Sequence, residues 1–499
     1  MIYNFNLGIG WASSGVEYAQ AYRAKLLRNI GQPARFVFTD MFPRDPLAHM
    51  TRNIGFRDEE VMWLYSFFTD FTVAPVTYTL ARLEETFGGR QFTRRREGKQ
   101  VRYIFEGNNN FYTAYLTDEN EDLVHRVEMV SKGLLIRKDY FTDRRQYSEY
   151  YAPLDGKAKL YMRRFFNRDG SMAYEEMVEG KRSAYRFPDR MVFSKEELVG
   201  RMVAGLHLTK DDVVIIDRTT GIGQAILQNV GPARVGVVIH AEHFSENSTD
   251  DQTILWNNYY EYPFSQHKHI DFYITATQVQ NRILRSQFRR YKGVEPEVVT
   301  IPVGSIFELK KPVGKRRPHS LITASRLASE KHIDWIIDAV VQARRTIPDL
   351  TLDIYGKGVE EPRLKEQIER LDCGAYVHLM GQQKMDEIYR DYEAYVAAST
   401  SEGFGLTLLE AVGSGLPIIG FDVRYGNQTF IDPDKNGYLI PVDDTMDGRC
   451  RAERLAERIV DLFTRADLES FHARSYEIAQ EYMTSEVEKR WDALLRKTM

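Results

Sequence analysis

Four short apolar runs, "SLITASRL", "DLTLDIYGKG", "AYVHLMG" and "AYVAAST", punctuate the second half of the chain, with amphipathic stretches between them. Such runs suit strands covered on both faces. Strand alternating with helix predicts a parallel sheet built from βαβ crossovers. The same alternation appears upstream in "DDVVIIDR", "RVGVVIHAEH" and "HIDFYITATQVQNRILRSQF". Ile301 to Ser320 is rich in Pro, Gly and Lys/Arg and reads as the linker between the two sets.

Between the first helix and the upstream strands the character changes. From about Val76 to Phe187 the chain is β-rich, with Val101, Tyr103 and Phe105 alternating, and Phe111, Thr113 and Tyr115 alternating after them. Asp155-Gly156 signals a hairpin, and Asn167-Arg168-Asp169-Gly170 marks the next turn. This series predicts an antiparallel meander inserted as a domain. The expected organisation is residues 1–60 with 190–305 as one α/β domain, 61–189 as the insertion, 306–485 as the second α/β domain and 486–499 as a terminal helix. The sheet carries Tyr103, Phe105, Phe111, Tyr112, Tyr115, Tyr140, Phe141, Tyr161, Phe165 and Phe166. One sheet alone cannot bury both its faces, so one aromatic face is expected to dock a partner. Arg94-Arg95-Arg96 reads as a solvated turn.

The N-terminus offers a phosphate-binding pattern. In "NFNLGIGWASSGVEYAQAYRAKLLRNI" an apolar run ends at Gly8-Ile9-Gly10, and Gly15 opens a helix. Ser14 to Glu17 has the form of a capping box. Strand, glycine loop and helix present backbone N–H groups to an anion. The dinucleotide fingerprint Gly-x-Gly-x-x-Gly is not met, because the third glycine comes two residues late. Asp40 lies beyond the separation of roughly 20 residues at which a ribose-binding acid usually follows.

The richest stretch is "STSEGFGLTLLEAVGSGLPIIGFDV". Glu402 precedes Gly403-Phe404-Gly405, a helix follows, and Glu410 lies eight residues beyond Glu402. At 3.6 residues per turn Glu410 falls roughly a turn and a half in from the loop. A phosphate can approach the glycines, while carboxylates accept paired sugar hydroxyls. Upstream, Arg326 and Lys331 straddle a strand-to-helix turn five residues apart, where two cations can clamp a diphosphate.

Together these motifs resemble the retaining GT-B glycosyltransferases of the family-four type. That resemblance implies an α/β fold of two Rossmann-like domains facing a cleft. "SRLASEK" looks like the family's Arg and Lys on the donor diphosphate, here Arg326 and Lys331. "EGFGLTLLEA" matches its paired-glutamate element, which implies Glu402 at the donor sugar and Glu410 on the ribose. Gly403, Phe404, Gly405, Leu406 and Thr407 would contact the diphosphate, and Met380 and Gly381 the uracil. "NLGIGWASSGVEYAQAYR", the β-rich insertion and "VVIHAEHFSEN" resemble the GtfA-type subunits. Those start the glycosylation of serine-rich-repeat adhesins in Gram-positive bacteria, alongside a GtfB partner. The resemblance implies a UDP-GlcNAc or UDP-Glc donor, a Ser/Thr-rich acceptor polypeptide, a GtfB-like partner on the insertion, and Gly10 and Gly15 framing the donor across the cleft. It also implies an active-site histidine at a strand end. His240 ends "RVGVVIH" and is favoured, with His243 as the alternative. His267 and His269 read as surface residues. Asp432-Pro433-Asp434 imitates a metal motif but reads as a turn. No catalytic metal is expected, since Arg326, Lys331 and the helix dipole can stabilise the leaving diphosphate.

Composition removes other classes. The net charge of −4 does not mark a nucleic-acid binder. Two cysteines, Cys373 and Cys450, imply no disulfide framework. The expectation is a cytoplasmic protein, since the start lacks a signal-peptide pattern and no apolar run approaches the roughly 20 residues of a span. Peripheral contact with the inner membrane face is compatible with it. Two rival readings are a wall teichoic acid transferase acting on polyribitol phosphate and a non-catalytic, partner-binding subunit.

Overall fold

The computed structural model of the chain describes residues 1–10, 15–105, 110–442 and 445–499. They form two compact units, residues 1–238 with 258–271 and 498–499, and residues 239–257 with 272–497.

The first unit contains parallel strands around Ile2–Asn6. Val213–Ile216 pairs on one side of it and Ala34–Phe38 on the other, with Arg234–Ile239 and Val61–Trp63 beyond them. The chain order therefore reverses beside Ile2–Asn6. Ligands of open α/β sheets bind outside the carboxyl ends of the strands at such a reversal. Gly8 follows the carboxyl end of Ile2–Asn6, and the helix begins at Gly15. Ser14 lies outside the described residues. Glu17 accepts from the Asn6 side chain and pairs with Arg218, each at 3.4 Å. Asp40 is paired with Lys195.

The insertion is a ten-stranded sheet whose strands follow chain order from Phe92–Glu97 to Met191–Val192. All its pairings are antiparallel, so the meander holds. Asp155 and Gly156 both have positive φ, as a tight hairpin joining these strands demands. Arg94-Arg95-Arg96 is not a turn. It lies in the exposed edge strand Phe92–Glu97, where Arg94 pairs with Glu84 and Arg96 with Asp122. Charge on an edge discourages pairing with other chains.

Most of the sheet's aromatics are core. Tyr103, Phe105, Tyr140, Phe141, Phe165 and Phe166 are all buried. At one end Tyr103 and Phe105 pack with Leu80, Leu83 and Phe87 of the helical segment before the sheet. At the other, Phe165 stacks on Tyr65, and the Tyr174 hydroxyl donates to the Tyr65 carbonyl at 2.7 Å. Of the other aromatics named from the sequence, Phe111, Tyr112 and Tyr115 are half-buried and Tyr161 is 46% exposed, and Ile136, Leu154, Met172 and Met177 are exposed on neighbouring strands. The aromatic face expected from the sequence is therefore mostly core, and the sheet's exposed apolar side chains are few and mixed.

The second unit holds a six-stranded parallel sheet. Its order is Val377–Gly381, Thr351–Tyr355, Ser320–Ala324, Ala394–Ala397, Ile418–Phe421, Gly437–Ile440. Ile336, Ile337, Val340, Leu455 and Ile459 from the covering helices close over Leu321, Leu352, Ile354 and Val396. Counted in chain order from Ser320–Ala324, the sheet reads 3-2-1-4-5-6, the doubly wound arrangement. Its reversal lies between Ser320–Ala324 and Ala394–Ala397. This topology brings the segment after Ala324, with Arg326 and Lys331, beside the segment after Ala397, with Glu402. Asp432 to Asp434 form a turn: the Asp432 carbonyl accepts from Lys435 and Asn436, and Asp434 has φ 60°. Among the described residues no helix is long and apolar enough to cross a membrane.

Candidate active site

The centre of the site is an ion pair at the reversal point. Lys331 Nζ lies 2.6 Å from Glu402 Oε2, although 71 residues separate them in sequence. Both side chains are mostly covered, at 16% and 20% exposure, so the pair faces little competing water. Lys331 closes a short 3-10 turn, Ser329–Lys331. Arg326 points elsewhere. It is 78% exposed and holds Glu330 at 3.2 Å, so the structure does not bring its guanidinium to Glu402.

The glycine loop is shaped by two close approaches. Gly405 has φ 85°, a left-handed conformation, and forms the N-cap of the helix Leu406–Gly413. A Cβ added at Gly403 would stand 3.1 Å from the carbonyl oxygen of His240. The His240 backbone therefore lies against the loop that carries Glu402. Phe404 is buried, Leu406 is partly exposed at 39%, and Thr407 Oγ1 accepts from the Tyr395 hydroxyl at 3.1 Å. The free N–H groups at this helix end suit an anion.

Glu410 sits further along the same helix. It lines a cavity of about 390 Å³ with Ser305, Met385, Tyr389 and Gly413, within the size range of small-molecule sites. Its carboxylate accepts from the Tyr389 hydroxyl at 3.0 Å. Desolvation by surrounding protein raises the carboxyl to about 7, against the lowering effect of the Tyr389 bond, and Asp386 adds to the rise. The residue is itself exposed on the cavity, where water offsets much of that rise. Met380 is 37% exposed and Gly381 has φ 68°, at the end of the edge strand Val377–Gly381.

His243 is corrected by the structure. It is 0% exposed and both ring nitrogens are engaged, Nε2 with Gln287 Oε1 at 2.8 Å and Nδ1 with the Tyr425 hydroxyl at 3.0 Å. Burial lowers its pKa to about 3, so it stays neutral and has no free nitrogen for a ligand. Gly10 and Gly15 belong to the first unit, and a Cβ added at either would meet nothing within 4 Å. His269 is exposed and His267 half-buried. Sequence reasoning missed Arg424, Tyr425 and Gly426, whose backbone holds Glu402. The Glu402 carbonyl accepts from Tyr425 N at 2.6 Å and Gly426 N at 2.8 Å, and Glu402 N donates to the Arg424 carbonyl at 3.0 Å. Nothing in "VRYGNQ" announces that role.

A doubly wound sheet whose reversal point joins a Lys–Glu pair, a glycine loop and a helix N-terminus suits a phosphorylated ligand. The family model "Glycosyl transferases group 1" matches residues 306–468, and "GtfA extended beta-sheet domain" matches residues 93–189. The UDP-N-acetylglucosamine–peptide N-acetylglucosaminyltransferase GtfA subunit of Streptococcus gordonii is 53% identical, over 99% of this chain and 98% of its own. A chain in a crystal structure of a GtfA/B complex is 52% identical with a TM-score of 0.97, covering 100% of this chain and 99% of that one. The pneumococcal O-GlcNAc transferase GtfA, solved with UDP and GlcNAc, is 48% identical with a TM-score of 0.91, covering 100% and 98%. The chain belongs to the GtfA family of glycosyltransferase subunits.

Proposed function

We propose that this chain transfers N-acetylglucosamine from UDP-GlcNAc, with retention, to Ser/Thr hydroxyls of a serine-rich-repeat adhesin, as the first step of its glycosylation. The observation that carries this reading is the Lys331–Glu402 pair beside the glycine loop, in a chain of this family. UDP-Glc is the competing donor. Glu402 and His240 place the sugar, while Lys331 and Arg326 take the charge that develops on the departing diphosphate. Gly403 to Thr407 add backbone N–H and hydroxyl contacts to the diphosphate, Met380 and Gly381 take the uracil, and Glu410 holds the ribose. Two cations and a helix N-terminus supply the stabilisation that a metal gives other transferases, so transfer should persist in EDTA. A Ser-rich polypeptide incubated with the chain, its partner and each UDP-sugar separately tests the reading. Absence of sugar on Ser/Thr with either donor would defeat it.

Glu410 gives the reading a pH signature. Only the carboxylate accepts two ribose hydroxyls, so protonation competes with binding. The raised carboxyl, at about 7, makes donor affinity fall as pH drops through that value. UDP-GlcNAc is the right probe, because its diester diphosphate does not titrate there. Its Kd should rise about tenfold between pH 8 and 6, by linkage, and Glu410→Gln should flatten the profile. A flat wild-type profile would remove the ribose role.

The partner is a GtfB-like subunit, and the complex acts in the cytoplasm, with peripheral contact at the inner membrane face. The exposed Ile136, Leu154, Tyr161, Met172 and Met177 support docking on the inserted sheet. Deleting the sheet is a poor test, because Tyr65 and Trp63 pack on it. Tyr161→Glu combined with Met177→Glu places two charges on the exposed face instead. Co-purification with the partner should be lost while UDP binding persists; a complex that survives would move the interface elsewhere.

A further inference from the structure

Behind Glu402 stands a brace that the proposed chemistry does not use. It joins two segments of the second unit that lie far apart in sequence, Ala241 to Glu246 and Arg424 to Gly426. Arg424 Nη2 donates to Glu242 at 2.7 Å and to Glu246 at 2.9 Å. Between the segments, buried His243 meets the Tyr425 hydroxyl at 3.0 Å. Gln287 Oε1 faces His243 Nε2 at 2.8 Å, so Nε2 carries the proton and Nδ1 accepts from Tyr425. The Gln280 amide donates to the Ala241 carbonyl at 2.9 Å, and the Asn257 amide to the Glu242 carbonyl at 3.0 Å. Tyr425 N and Gly426 N in turn hold the Glu402 carbonyl. His240 immediately precedes the braced segment, and its carbonyl abuts Gly403.

We infer that His243 and Tyr425 are positioning residues, a buried latch that sets where Glu402 and His240 stand against the donor sugar. The inference rests on the site assignment proposed above. Its physical basis is connectivity: one hydroxyl-to-imidazole bond ties the His240 strand end to the backbone that grips Glu402. Burial keeps the imidazole neutral, so Nδ1 remains an acceptor across the physiological range. A hydrophobic pair of similar shape would fill the space but would not fix the register of the two segments.

Tyr425→Phe removes one oxygen and keeps the ring. Turnover of UDP-GlcNAc by the full chain, with Ser-rich polypeptide and partner, should fall about 30-fold, since small misplacements of reacting groups cost up to about 10² in rate. The Kd for UDP should stay within about threefold of wild type, because the contacts proposed for the uridine lie outside the latch. His243→Leu should lose a similar amount, and His243→Gln, which keeps a hydrogen-bonding group, should lose less. The double variant Tyr425→Phe/His243→Leu should lose no more than His243→Leu alone, because both changes break one bond. Unchanged turnover in Tyr425→Phe, additive losses, or a UDP Kd that rises in step with the rate loss would overturn the latch. Glu402→Gln and His240→Ala belong in the same series. If those two keep full turnover, the site assignment fails and the latch with it; if they lose it and Tyr425→Phe does not, the latch alone fails.

Discussion

Lys331→Ala is expected to lower turnover about 10²–10³-fold, the usual loss for one preorganised contact to developing charge. The structure gives two reasons for a value near the upper end. The ammonium already stands 2.6 Å from Glu402, held by a short turn and mostly covered. It therefore needs little reorganisation when the diphosphate departs. Its removal also leaves Glu402 without its cation, and an uncompensated carboxylate beside a diphosphate repels the charge that develops there. Fold stability should change far less than turnover, since Glu402 keeps some access to water and its backbone stays held by Arg424, Tyr425 and Gly426. Arg326→Ala should cost about 10²-fold, less than Lys331→Ala, because Arg326 must leave Glu330 and swing inward first. Single-turnover rates with UDP-GlcNAc, alongside thermal melts, check both. Rates within threefold of wild type in both variants would dismantle the proposed diphosphate clamp.

The parts of this site that were legible in the sequence were the local ones. Glu402 to Glu410 is one loop and one helix, so its spacing alone places both carboxylates. The parallel sheets were legible because strands covered on both faces leave uninterrupted apolar runs, as in "SLITA" and "YVAA". Contacts between distant segments left no such trace. The 71 residues between Lys331 and Glu402 carry no periodic signal linking them, and family resemblance supplied that link. The 182 residues between His243 and Tyr425 carry none either. That is why His243 read as a ligand candidate although it is a sealed core histidine. The inserted sheet failed in a different way. Alternating aromatics announce strands, but alternation says nothing about which face another element covers. Tyr103 and Phe105 are buried under Leu80, Leu83 and Phe87, and Phe165 under Tyr65, all of them outside the sheet's own strands.

Glu402→Gln should separate sugar placement from nucleotide binding. The substitution keeps size and one acceptor oxygen but removes the charge that Lys331 holds. Lys331 then keeps only an ion–dipole bond to the amide oxygen in place of an ion pair with a carboxylate. The Glu402 backbone stays fixed by Arg424, Tyr425 and Gly426, so the loop keeps its shape and the loss falls on the side chain. Turnover should fall about 10²–10³-fold, with the UDP Kd within about threefold of wild type, the pattern of an interaction made mainly in the transition state. Glu410→Gln should show the opposite split. Its carboxylate sits in the cavity beside Tyr389, further along the helix from the glycine loop. There the UDP Kd should rise about tenfold, roughly the worth of one charged hydrogen bond, while turnover at saturating donor stays within threefold. Calorimetric UDP titrations and saturating-donor rates on the two variants decide the matter. Equal losses of UDP affinity in both would mean that the two glutamates serve one shared subsite, and the division between sugar and ribose would have to be abandoned.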